Sequence, residues 1–189
     1  MVEQHAYLDS IKKQFLYYKT IGEKAMEQVE PEQLFMAVHD DSNSIATIVK
    51  HLWGNMLSRW TDFLKTDGEK PWRDRDSEFE NDIQTKEELL QKWNEGWACL
   101  FDALESIRPD QLSHIIYIRN EGHTVMEAIN RQLAHYPYHV GQIVYAAKLL
   151  KKGSWDSLSI PRNRSNEFNA NKFSNERAVK HFLDEELRK

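Results

Sequence analysis

Between Ile45 and Leu64, ten apolar residues (Ile45, Ile48, Val49, Leu52, Trp53, Met56, Leu57, Trp60, Phe63 and Leu64) recur at steps of mostly three and four positions. That is the period of one face of an α-helix, and a strand with its period of two cannot gather the set on one side. Asp40, Asp41 and Ser42 supply negative charge and a cap ahead of the stripe, and the helix is expected to stop near Asp67-Gly68.

Three further segments carry the same period. Tyr7, Leu8, Ile11, Phe15, Tyr18 and Ala25 make a first helix that Pro31 should close. Thr85 with Glu88 forms a capping box before Leu89, Leu90, Trp93, Trp97, Leu100, Phe101 and Leu104, and Pro109-Asp110 breaks that third helix. Thr124 with Glu127 is a second capping box, opening a fourth helix through Val125, Ile129, Leu133, Tyr136, Val140, Ile143, Val144 and Ala147 that Gly153 should end.

Seven Gly and five Pro in 189 residues leave little room for the turns of an all-β fold. The expected architecture is all-α, a four-helix bundle over residues 1–153 followed by a polar C-terminal extension over 154–189. In the extension only Ala178, Val179, Phe182 and Leu183 hint at a last short helix. Ile115-Ile116-Tyr117-Ile118, closed by Asn120-Glu121-Gly122, reads as an extended segment or short strand, on which no sheet is built. The polar connection from 68 to 84 exceeds what antiparallel neighbours need, and a crossover between parallel neighbours would explain it.

A formal charge of −5 gives no electrostatic footprint for nucleic acid or an anionic bilayer. One cysteine, Cys99, excludes an internal disulfide framework and a Cys-based zinc cluster; it fits a reducing compartment, and cytoplasm is the expected location. No basic segment followed by an apolar one opens the chain, and no stretch reaches the roughly 18 apolar residues of a membrane span, so neither export nor anchoring is expected.

Chemistry concentrates in His135-Tyr136-Pro137-Tyr138-His139. Four residues apart on a helix, His135 and His139 share a face with Cβ atoms about 5–6 Å apart, a spacing that can hold one metal ion. The same spacing occurs in chance pairs and in core histidines held by hydrogen bonds, and a site with an open position needs a third ligand. His51 is the best candidate, although it lies about 60° outside Ile48, the nearest edge of its helix's apolar stripe, and so does not read as a core residue. Thr47, His51, Asn55, Ser58 and Asp62 share that polar edge, which is either a groove wall beside the histidine pair or a solvated face. Pro137 cannot donate to the carbonyl of Leu133, so a kink is expected there, with the freed carbonyl available to orient a ring.

His5, His39, His114, His123 and His181 have no partner at ligand spacing and read as surface or capping residues. Cys99, among Trp97 and Leu100, reads as a small core hydrophobe rather than a nucleophile. Asn55 and Arg59, one and two turns beyond His51, are candidates for orienting a substrate; Arg162 and Arg164 could reach an anionic substrate if the tail folds back over the site, with Arg162 the candidate for cofactor binding, although isolated arginines in a polar tail are usually solvated.

With His51 in the segment from Ser44 to Phe63, and His135 and His139 in the segment from Asn130 to Leu150, the chain resembles the DinB-like (YfiT-like) metalloenzyme family. More closely it resembles a bacterial subfamily of the kind found in bacilli. The resemblance implies an up-down-down-up bundle, often homodimeric, with a divalent metal on one histidine of the second helix and a His-x-x-x-His pair of the fourth; His51, His135 and His139 match these positions. It also implies chemistry of the kind found in bacillithiol- and mycothiol-dependent transferases and maleylpyruvate isomerases, where a metal activates a low-molecular-weight thiol. The 68–84 connection and the C-terminal extension depart from a bare domain of that family.

The leading expectation is thus a metal-dependent transferase or hydrolase with Zn²⁺ or Ni²⁺ on three imidazoles, acting on a small molecule. The alternatives are a non-catalytic dimeric bundle with a structural or adventitious metal, and histidines that hydrogen-bond without metal.

Overall fold

In a computed structural model, which describes residues 2–188, the helical periods turn into buried faces. Helix α1 (Val2–Met26) buries Leu8, Ile11, Phe15, Ala25 and Met26. Helix α2 (Ile45–Trp60) begins two residues later than Ser42 would cap it: Ser44 is the cap, its Oγ accepting the N–H of Thr47 at 3.1 Å. It also ends earlier than Asp67-Gly68, because Asp62 takes a φ of 47°, a left-handed conformation that Asp adopts more readily than most residues.

Helix α3 (Lys86–Ser106) is capped by Thr85 as expected, while the Glu88 carboxylate reaches the N–H of Gln84 rather than that of Thr85. The chain is not all-α. Strand β1 (Ile115–Ile118) pairs antiparallel with β2 (Glu121–Thr124), with Ile116 opposite His123. The turn lies at Arg119 and Asn120, both at positive φ (55° and 63°), the geometry that suits a two-residue hairpin loop. Asp67 holds it by accepting the N–H groups of Arg119 and Asn120, each at 2.8 Å.

Helix α4 (Val125–Leu150) carries the complete Thr124–Glu127 capping box and runs unbroken through Pro137. In the tail the expected helix over 178–183 is absent. Helix α5 (Ser165–Phe173) forms instead and buries none of its residues, and a single 3-10 turn follows at Glu186–Arg188. Val179 and Phe182 stay exposed; Leu183 alone of the four apolar residues is buried, flanked by His181 on Ser10 of α1 and Asp184 on Lys13.

Contacts between side chains fix the helix directions. Trp53 donates to Glu95, and Cys99 lies against the Met56 carbonyl and Thr61, so numbers rise together and α2 runs parallel to α3. Tyr7 donates to Asn130 and Lys151 to Gln28, so α1 runs parallel to α4. Lys12 pairs with Glu105 while Gly22 abuts Trp93, making α1 and α3 antiparallel; His51 beside His139 and Trp60 on Tyr136 make α2 and α4 antiparallel. Phe15, Trp93, Trp97 and Tyr136 fill the centre, with the Trp93 and Trp97 rings 5.4 Å apart. A Cβ at Gly22 would come within 2.6 Å of the Trp93 ring, so α1 needs glycine there. Among the described residues no helix is long and apolar enough to cross a membrane.

Candidate metal centre

Helix α2 presents His51 and antiparallel α4 presents His135 and His139, one turn apart, so three imidazoles meet across the groove. Nε2 of His135 lies 3.1 Å from Nε2 of His139 and 3.5 Å from Nε2 of His51. One ligand atom from each of the three residues lies within 4.8 Å of the others.

Each opposite nitrogen faces an oxygen. Nδ1 of His51 is 2.8 Å from Oε2 of Glu78, Nδ1 of His135 is 3.2 Å from Oε1 of Gln132, and Nδ1 of His139 is 2.8 Å from Oε1 of Gln142. A carboxylate or amide oxygen only accepts, so each neutral ring carries its proton on Nδ1 and leaves a bare lone pair on Nε2. Three lone pairs then converge with no proton between them, which repels unless a cation sits among them. Nitrogens about 2.0–2.1 Å from a tetrahedral zinc ion are about 3.4 Å apart, close to the 3.1 and 3.5 Å that separate His135 Nε2 from its two neighbours, so the three histidines could hold a divalent ion.

Burial favours the neutral state of His135 and His139. It pushes His135 down to about 3, with the charges that His139 and His51 would carry adding to the effect. Burial also lowers His139, against the opposing hydrogen bond to Gln142.

His51 does not sit on an open edge, as its place outside the stripe suggests; it is 5 % exposed. The 61–85 connection covers it. Burial pushes the Glu78 carboxyl up, but hydrogen bonds from His51 and Arg73 and the Arg73 charge outweigh this and hold it below the ordinary carboxylate range. Arg73 reaches Oε1 of Glu78 at 2.7 Å through Nε and Oε2 at 3.0 Å through an NH2 group. Phe79 stacks on the His51 ring with centroids 5.0 Å apart. Gly54 makes room for this packing: a Cβ there would meet Cδ of Glu78 at 2.8 Å, too close to tolerate.

The remaining polar edge of α2 is tied to the same connection. Ser58 donates to the Gly68 carbonyl and accepts from the Lys70 N–H; Lys50 reaches the Ser77 carbonyl and Asp82; Ser44 donates to Asn81. Arg59 holds Glu69 through two N–H groups at 3.1 and 3.2 Å, and Arg73 and Arg119 share that carboxylate. Asn55 accepts the Tyr136 hydroxyl at 3.2 Å, and that hydroxyl accepts the Trp60 indole N–H. Asn55 therefore lies in a buried chain beside His135, Arg59 in the ion network of the connection, and Arg162 exposed in the tail, where no hydrogen bond among the described residues joins it to the histidines.

Sequence reasoning brought the three histidines together and missed their orienting partners. Gln132 and Gln142 were findable, lying three residues before His135 and three after His139, where helix neighbours meet. Glu78 carries no such signal. Cys99, half-buried, has its thiol pushed up by burial, in keeping with a packing role.

Over residues 3–164 the chain matches the family described as Protein of unknown function (DUF1572), and it belongs to that family. No curated protein and no solved structure matches the chain.

Proposed function

We propose that this protein is a metal-dependent enzyme in which His51, His135 and His139 hold one divalent cation, Zn²⁺ or Ni²⁺, and leave a coordination position for water or a low-molecular-weight thiol. The observation that carries the reading is the common orientation of the rings, each Nδ1 on an oxygen and each Nε2 on the shared centre. When bound, the cation supplies a Lewis acid that lowers the pKa of a coordinated water or thiol. Burial keeps His135 and His139 neutral, and Glu78, Gln132 and Gln142 fix the direction of the three rings. Hydrolysis and thiol transfer to an electrophilic small molecule both follow from such a site. Three protein ligands favour an open, reactive site over a structural one, which usually closes with four.

The reading extends to architecture. The helix directions support an up-down-down-up four-helix bundle of DinB-like kinship over residues 1–153, with 154–189 as an extension packed on α1, and we propose a cytoplasmic homodimer. Light scattering of the untagged protein tests the assembly. For activity, protein loaded with Zn²⁺ or Ni²⁺ is assayed for loss of a low-molecular-weight thiol in the presence of an electrophile, and for ester hydrolysis. Turnover that disappears in His135→Ala supports the proposal; turnover unchanged in that variant overturns it.

A further inference from the structure

We infer that the groove between the 38–43 loop, with Ile48 of α2, and the second half of α4 is the substrate pocket of this centre, and that it takes a small, flat, largely apolar molecule that is not anionic. The inference rests on the metal reading for its chemistry and on the groove alone for its binding.

Position ties the groove to the histidines. Ile48, one turn before His51, and Gln142, three residues after His139, both line a cavity of 460 Å³. Cavities that bind small molecules commonly run about 300–1,000 Å³. Gln142 gives its oxygen to Nδ1 of His139, leaving its amide N–H groups for a ligand, so one side chain touches both the ligand space and a metal ligand.

Shape sets the size of the occupant. Tyr138 and Tyr145, 63 % and 66 % exposed, stand about two turns apart on α4, with Gly141 between them. A Cβ at Gly141 would meet nothing within 4 Å, so the gap between the two rings is open to its backbone floor. Two phenol rings with Ile48 and Ala146 form walls suited to a flat apolar body. Charge disfavours an anion. Among the described residues no Lys, Arg or His lines the groove, and the one carboxylate there, Asp41, stands exposed at the rim with His39 3.8 Å away, so an anion entering the groove loses water and gains no cationic partner.

The test uses three isosteric probes, benzamide, benzamidine and benzoate, titrated against the full-length protein with and without Zn²⁺ and followed by the backbone amide shifts of Gly141 and Gln142. Benzamide and benzamidine are expected to bind, with benzoate about fivefold weaker or worse. Gly141→Trp, which fills the gap from the solvent side, is expected to abolish probe binding while Zn²⁺ stoichiometry is unchanged. Benzoate binding as tightly as benzamide overturns the inference. So does full probe binding by Gly141→Trp, including the case where that variant alters only self-association. A wild-type chain that takes up no Zn²⁺ yet keeps the probe order overturns the metal reading and supports the groove as a ligand site.

Discussion

Two polar segments lie outside the four apolar stripes, the 61–85 connection and the 154–188 tail, and the molecule treats them in opposite ways. The connection buries Lys70 and Glu78 and places Arg73, with its side chain 2 % exposed, between two carboxylates. The tail packs Trp155 and Leu158 against the core and bonds Asp156 to Gln28, then leaves α5 with no buried residue, buries Leu183, and meets α1 through Ser10 with His181 and Lys13 with Asp184. Polarity of a segment therefore does not decide whether it is solvated. What differs is how far the helix beneath is covered: α2 binds the connection through Ser44, Lys50, His51, Ser58 and Arg59 along its whole length, whereas α1 meets the end of the tail at Ser10 and Lys13.

The contrast is sharpest at Arg73. Arg73→Ala strips buried Glu78 of two hydrogen bonds and of its paired charge, leaving His51, and removing one member of a buried ion pair costs about 3–5 kcal/mol. Denaturant unfolding checks this, and a loss under about 1 kcal/mol would make the connection no more integral than the tail. Gly54→Ala is milder and more specific. The added methyl displaces Glu78 from His51, so Zn²⁺ affinity is expected to fall about 10–100-fold, read by competition with a chelating dye. Affinity equal to wild type would mean that Glu78 does not orient the ring.

Acid acts next, on the histidines themselves. In the metal-free chain His135 sits near 3 when folded against an ordinary 6.5, so below 6.5 the unfolded chain binds the additional proton. This contribution is present above pH 6.5 and is lost progressively as pH falls toward 3. Thermal melts of metal-free protein should fall between pH 7 and 5, and His135→Gln should flatten the slope; parallel slopes would contradict the burial argument. The smallest effect belongs to the tail: Arg162→Ala is expected to change stability by less than about 0.5 kcal/mol and metal content not at all. Elemental analysis showing lost metal would place the tail in the site.

How much was legible follows the same division. The long helices were readable because each buries a stripe of one period, and the His-x-x-x-His pair because helix geometry converts four residues into one face. The hairpin was half-readable: the β-branched run at Ile115–Ile118 showed, but its pairing depends on positive φ at Arg119 and Asn120 and on Asp67 from a distant loop. His51 looked exposed because its stripe angle says where it points on α2 and nothing of what is laid over it. Glu78, 27 residues further along the chain, was illegible for that reason, and the helix expected around Phe182 failed because only Leu183 finds cover.

The most direct test is elemental analysis and Zn²⁺ titration of untagged, full-length protein purified without a chelating column, beside His51→Ala, His139→Ala and Glu78→Gln. One metal ion per chain is expected in the wild type, none in either histidine variant, and affinity about 10–100-fold weaker in Glu78→Gln. A wild-type chain that neither carries nor takes up Zn²⁺ or Ni²⁺, or histidine variants that bind it as well as wild type, would contradict the metal centre.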